Sequence, residues 1–154
     1  PFIILMIALI PFTRFVVGTS LGVNATIVPL VIAAVPFVAR LAESSLKEIP
    51  TGVIESTQAM GASTRRIVFG VMIPESMPSL IRGLSLTAIT LVGYSAMAGA
   101  IGGGGLGDIA IRYGYHRYQT DVMFVTIILL ILLVQIIQEA GNRLARKLDK
   151  KSRH

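Results

Sequence analysis

Few residues in this chain of 154 have the types and spacing that chemistry needs. The most suggestive run is Gly102-Gly-Gly-Gly-Leu-Gly107, which spells G-x-G-x-x-G. After a strand and before a helix, that spacing lets backbone amides approach a pyrophosphate. Here a long apolar stretch precedes it, so the glycines read instead as a tight or flexible turn where missing side chains let helices approach. The two histidines, His116 and His154, have no clustered carboxylates beside them, and the chain has no cysteine. A zinc site and a disulfide framework are therefore not expected. No Gly-Lys-Ser/Thr phosphate loop occurs, so ATP chemistry would have to sit on another chain. Asn24-Ala-Thr26 matches a glycosylation sequon, a three-residue pattern that often arises by chance. The residues imply no cofactor and no catalytic constellation.

The elements that hold these residues explain the scarcity. Charged residues make up 14% of the chain and hydrophobic ones 53%, with a mean hydropathy of +0.75. Soluble domains carry roughly a quarter charged residues. This composition excludes an ordinary soluble enzyme, a disordered chain and a nucleic-acid module. A membrane-crossing helix needs about 20 mostly apolar residues. Four apolar runs qualify as spans, at about 1–18, 25–42, 80–101 and 122–137. The expected fold is all-α, a multi-pass transmembrane helical bundle. Pro29 and Pro36 lie inside the second run, on roughly one face, and would kink it there. Membrane helices tolerate such prolines because neighbours re-satisfy the freed carbonyls.

Orientation follows from the positive charges. Arg40, Lys47, Arg65, Arg66 and Arg82 share one side with the tail's Arg143, Arg146, Lys147, Lys150, Lys151 and Arg153. Only Arg14, Arg112 and Arg117 fall on the other. The positive-inside rule places loop 43–79 and tail 138–154 in the cytoplasm. The opening Pro-Phe-Ile-Ile carries neither an initiator methionine nor a signal-peptide pattern, and reads as a cut inside a longer protein.

Loop 43–79 holds the remaining signal. Pro50 precedes one short helix, Gly61 suits the left-handed position that stops it, and Ser63 can cap a second. Ile67, Val68, Val71 and Met72 form the second helix's apolar face, and Pro74 is expected to end it. Two short helices on the cytoplasmic face would make a docking knob.

The spacing Glu55…Gly61…Pro74 resembles the EAA motif of ABC-importer permeases, the binding-protein-dependent inner-membrane transport components. Ser56 and Thr57 stand where that motif has two alanines, Val71 where it has Ile, and Ile73 where it has Leu. The resemblance extends to GTSLGVNATIVPL (18–30), EIPTGVIESTQAMGAS (48–63) and TLVGYSAMAGAIGGGGLGDIAIRYGY (90–115), and is greatest to permeases of methionine importers. It implies the ABC type I importer fold and a homodimer with five spans per subunit, of which the last four are visible. It further implies two ATPase subunits, a substrate-binding lipoprotein that delivers D- or L-methionine, and a bacterial inner membrane. The coupling residues it implies are Glu55, Ser56, Thr57, Ala59, Gly61, Ile73 and Pro74.

Other residues have plainer readings. Gly93, Ala96, Ala98, Gly99 and Ala100 make the third run small-sided, which suits close packing. Tyr94, Ser95 and Met97 in the same run are the candidates for a translocation path or gate. Arg14 can snorkel to headgroups, Asp108 and Asp121 sit at solvated ends, and Tyr113, Tyr115 and Tyr118 fit an interfacial belt. A permease for another amino acid or small polar solute is the alternative. A secondary transporter fits less well, because such proteins place ionisable groups within their spans.

Overall fold

A computed structural model describes residues 2–149. Among them there are helices and turns and no strand. In order these are α1 (Phe2–Ala8), α2 (Ile10–Val17), α3 (Val23–Lys47), α4 (Thr51–Ala59) and α5 (Thr64–Ile67), then a π-helical turn (Val68–Met72). After it come α6 (Ile73–Gly99), α7 (Gly105–Ile109), a second π-helical turn (Ala110–Tyr115) and α8 (Thr120–Asp149). Three helical stretches are long and apolar enough to cross a membrane: Val23–Lys47, Thr64–Gly99 and Thr120–Asp149.

The first apolar run is not one helix of spanning length. It is divided at Leu9 into α1 and α2, where Pro11 falls in the first turn of α2. Proline has no amide hydrogen and its ring crowds the carbonyl one turn back. The interruption is local, because Leu9 N–H still donates to Leu5 O at 2.9 Å and Thr13 N–H to Leu9 O at 2.8 Å. In α3 both prolines are carried without a break, but the shared face differs in environment: Pro29 is fully buried and Pro36 is exposed.

The larger departure concerns loop 43–79. Glu43 and Lys47 belong to the last turn of α3, joined by a 2.6 Å ion pair. Pro74 does not end the second helix. Helical winding continues from Thr64 to Gly99, through Pro74 and Pro78. The reason lies in the π-helical turn before Pro74, where Ile73 N–H donates to Val68 O, five residues back. A wider turn of this kind removes the demand for the hydrogen bond that proline cannot make. The irregular connection proper is confined to 48–63.

The described residues fall into two compact units, one within Pro1–Pro36 and Thr87–Ile137, the other within Phe37–Leu86 and Gln138–His154. In the first, small residues set the spacing. Ala98 and Gly99 are buried, and a Cβ at Gly99 or Gly107 would collide with the backbone of the facing segment, Gly107–Asp108 or Ala96 respectively. The glycine run is thus a tightly packed turn. Gly22 N–H donates to Gly102 O at 3.0 Å, tying it to the start of α3. Gly93 has open space where a Cβ would stand and plays no such part.

In the second unit, Gly83 lies against Leu41 and Gly141 against Ser85. Ser45 and Ser79 share a 3.2 Å hydrogen bond, and Arg82 donates to Asp149 at 2.8 Å. Buried hydroxyls at Ser76 and Thr126 donate to carbonyls of their own helices. That leaves no buried side-chain polar atom without a partner among the described residues, as a bilayer requires. Phe124, Val125, Ile128, Ile131, Leu132 and Ile136 of α8 are exposed, and hydrocarbon is the solvent that accepts them.

Replacing Gly107 with Ala should cost about 1–3 kcal/mol, because backbone must shift to admit the methyl group. Thermal unfolding of the detergent-solubilised protein should show a lower midpoint for Gly107→Ala and no such loss for Gly93→Ala, which has open space and gains helix propensity.

Candidate functional site

The connection 48–63 is built from local signals. Ile49 is buried and anchors the chain after α3. Pro50, at φ −58° and ψ 132°, is extended and turns the backbone into α4. Proline is pre-set for that entry and loses no hydrogen bond there. Helix α4 has nine residues and none of them is buried. A helix this short and this exposed gains little from its own propensity or from packing.

Its far end is held by backbone geometry. Gly61 has φ +77°, the left-handed conformation that a side chain disfavours. Gly61 N–H donates to Gln58 O at 2.9 Å and Ala62 N–H to Thr57 O at 3.3 Å. These two bonds have the connectivity of a Schellman motif, which satisfies carbonyls the last turn leaves open. The stop expected at Gly61 is present. The cap expected at Ser63 is only half so: Ser63 occupies the N-cap position of α5, in extended conformation, but its hydroxyl caps nothing. The following turns rely on the burial of Ile67 instead.

Along α4 the motif residues differ in what they present. Ser56 Oγ donates to Val53 O at 3.0 Å and Thr57 Oγ1 to the same carbonyl at 2.7 Å. Both hydroxyls turn back on their own helix, as such side chains do in mid-helix. They stand at the alanine positions of the motif with their hydroxyl hydrogens bonded to the helix itself. Glu55 is exposed and makes no hydrogen bond or ion pair with other described residues; Ala59 is exposed as well. Ile73 is half-buried and Pro74 exposed, just past the π-helical turn. No hydrogen bond joins Glu55, Ser56 or Thr57 to Ile73 or Pro74.

Two residues of this surface escape a reading by motif. Met60 is 78% exposed beside the Schellman turn, and Phe69 is 71% exposed on the π-helical turn. The sequence signal for Met60 is an apolar side chain inside a polar stretch, whereas Phe69 is hidden within the apolar run 67–73. Val53 of α4 is exposed as well.

The three path candidates differ in their surroundings. The Tyr94 ring stacks on Phe2 with centroids 4.6 Å apart and planes 3° from parallel. Ser95 lines a mainly apolar recess of about 420 Å³ with Leu30, Leu91, Leu130 and Leu133. Met97 is half-exposed. At about 100° of helical rotation per residue, Tyr94 and Met97 share one side of α6, about 60° apart, and Ser95 points 100° or more away from each. At the other polar segment, Arg112 pairs with Asp108 at 3.0 Å and Arg117 lies 4.8 Å over the Tyr113 ring.

Residues 1–151 match the family described as the binding-protein-dependent transport system inner membrane component. The chain belongs to that family. Membership places it in the inner membrane, in accord with its spanning helices. It is 55% identical over 149 residues to a probable D-methionine transport system permease protein, MetI, of Vibrio cholerae, across 97% of this chain and 66% of that one. It is 50% identical over 151 residues to the methionine import system permease protein MetP of Bacillus subtilis, across 98% and 68%. Among solved structures, it resembles a chain of the MetNI methionine ABC transporter in inward-facing conformations. There the TM-score is 0.91 at 53% identity, over 96% of this chain and 68% of that one. The chain therefore spans about two thirds of these relatives.

A β-branched residue at Gly61 should open the last turn of α4. Gly61→Val forces a side chain into φ +77° at about 1–2 kcal/mol, so hydrogen exchange across 57–62 should quicken roughly tenfold. Gly61→Asn, which tolerates this conformation better, should quicken it less.

Proposed function

We propose that this chain is the greater part of a permease subunit that carries methionine inward through the bacterial inner membrane, driven by ATP hydrolysed elsewhere. The observation that carries the reading is the match to a chain of a methionine ABC transporter, at 53% identity over 96% of the chain. The relatives named for D-methionine and methionine transport support the same substrate. In this reading the subunit acts as a homodimer on two ATPase subunits and receives its substrate from a binding lipoprotein. It catalyses no reaction itself, in keeping with the missing phosphate loop.

The connection between α3 and α5 is the coupling element, on the cytoplasmic side. Glu55 and Ala59 lie on a helix with no buried residue, so α4 is free to seat in a groove of the ATPase. Met60 and Phe69 supply the apolar contacts of the knob. Gly61, held by the Schellman bonds, fixes the angle between α4 and the winding that leads through Ile73 and Pro74 into α6. Nucleotide can drive transport only if the ATPase grips this knob differently in its two states. Glu55, Ser56, Thr57, Ala59, Gly61, Ile73 and Pro74 transmit that difference, and Tyr94, Ser95 and Met97 are the candidates for the path.

Gly61→Asp in the full-length subunit should abolish uptake of labelled methionine while leaving membrane insertion intact. Uptake assays with competing amino acids test the substrate in the same cells. Wild-type import by a Gly61→Asp subunit that still co-purifies with its ATPase would remove the coupling role. Competition by an unrelated amino acid in place of methionine would remove the substrate.

A further inference from the structure

The end of α8 presents two opposed faces. Gly141 and Ala145 are buried and Leu148 is half-buried, so residues spaced by four and three pack inward. A Cβ at Gly141 would collide with Ser85, and Asp149 is tied to Arg82 at 2.8 Å, which fixes how this end is turned. At about 100° per residue, Arg143, Arg146 and Lys147 fall on the opposite side, and all three are exposed. Glu139 bonds Arg143 at 2.6 Å and lies 3.5 Å from Arg146, so one carboxylate serves two guanidinium groups. Across 138–154 the sequence has six cations and two carboxylates, one of which already pairs with Arg82.

Charge and the reach of long side chains select the partner. The apolar stretch Val122–Ile137 contains no charge. Arg143 lies about 9 Å beyond Ile137 along the axis, and Lys147 about 15 Å. The headgroup layer is roughly 5–8 Å thick on each side, and long basic side chains reach back toward it. Leu144, exposed beside this face, suits the same boundary.

We propose that Arg143, Arg146 and Lys147 form a binding face for the phosphates of anionic phospholipids, turned outward by the packing of Gly141 and Ala145. Juxtamembrane clusters of basic residues attract anionic headgroups through summed charge. The inference rests on the membrane placement of α8, and on neither the substrate nor the coupling role.

The test is native mass spectrometry of the full-length subunit assembled with its ATPase subunits, released from nanodiscs of phosphatidylethanolamine alone or mixed with phosphatidylglycerol. The triple variant Arg143→Gln, Arg146→Gln, Lys147→Gln should retain about half or less of the wild-type phosphatidylglycerol. Phosphatidylethanolamine retention should not change. The charge-keeping variant Arg143→Lys, Arg146→Lys, Lys147→Arg should retain the wild-type amount. For the wild type, raised salt should lower phosphatidylglycerol retention, whereas millimolar inorganic phosphate should not displace it, which separates a bound lipid from a free-phosphate site. Should the triple variant misfold, Lys147→Gln alone should show a smaller loss. Equal retention of phosphatidylglycerol by wild type and glutamine variants would overturn the proposal. So would loss of the ATPase subunit with lipid retention unchanged, which would assign these cations to a protein partner.

Discussion

Inside a bilayer no water is available to a backbone amide or carbonyl, so each must find its partner within the chain. Most of the structure follows from that constraint. It explains why three long helices carry most of the apolar residues. It explains why buried serines and threonines bond to their own helices. It also makes every interruption costly, so interruptions are few and each is built. Pro11 coincides with the junction of α1 and α2, Pro74 follows a π-helical turn, and the glycine run after α6 turns back under its own hydrogen bonds.

The same constraint bears on the proposed coupling role. A helix packed on all sides has nothing to offer a partner, whereas α4 buries none of its residues and is defined by its ends. Pro50 starts it and the Schellman turn at Gly61 stops it. A coupling element needs a rigid contact surface and a stiff connection to the span it moves. In the proposed reading, helical winding leads from Thr64 through the π-helical turn into α6. The π-helical turn between them is where that winding departs from ideal geometry.

Composition and hydropathy were enough to read the solvent, the all-helical class and the approximate position of the apolar runs. Element boundaries were less legible, because hydropathy reports the environment and not the winding. Glu43 and Lys47 read as loop, yet they close α3 through an i,i+4 ion pair. Ser76 and Ser79 read as loop too, yet they lie in α6. Pro74 was misread as a stop for a physical reason: a proline's effect depends on the turn before it, and a π-helical turn has no sequence signature. Gly61 was legible because few residues adopt positive φ. Met60 and Phe69 were not: an apolar residue in a polar stretch does not say which way it faces, and within the apolar run 67–73 nothing in the sequence marks Phe69 as the one left exposed.

The central claim is that α4 is gripped by the ATPase and that the grip changes with nucleotide. The chain has no cysteine, so Glu55→Cys would give this chain a unique thiol on the exposed face of α4. Cross-linking from that thiol in the assembled transporter, with and without ATP, tests the claim most directly. The account predicts a cross-link to the ATPase subunit whose yield changes with nucleotide. A yield that is the same in both states, or no cross-link to the ATPase at all, would contradict it.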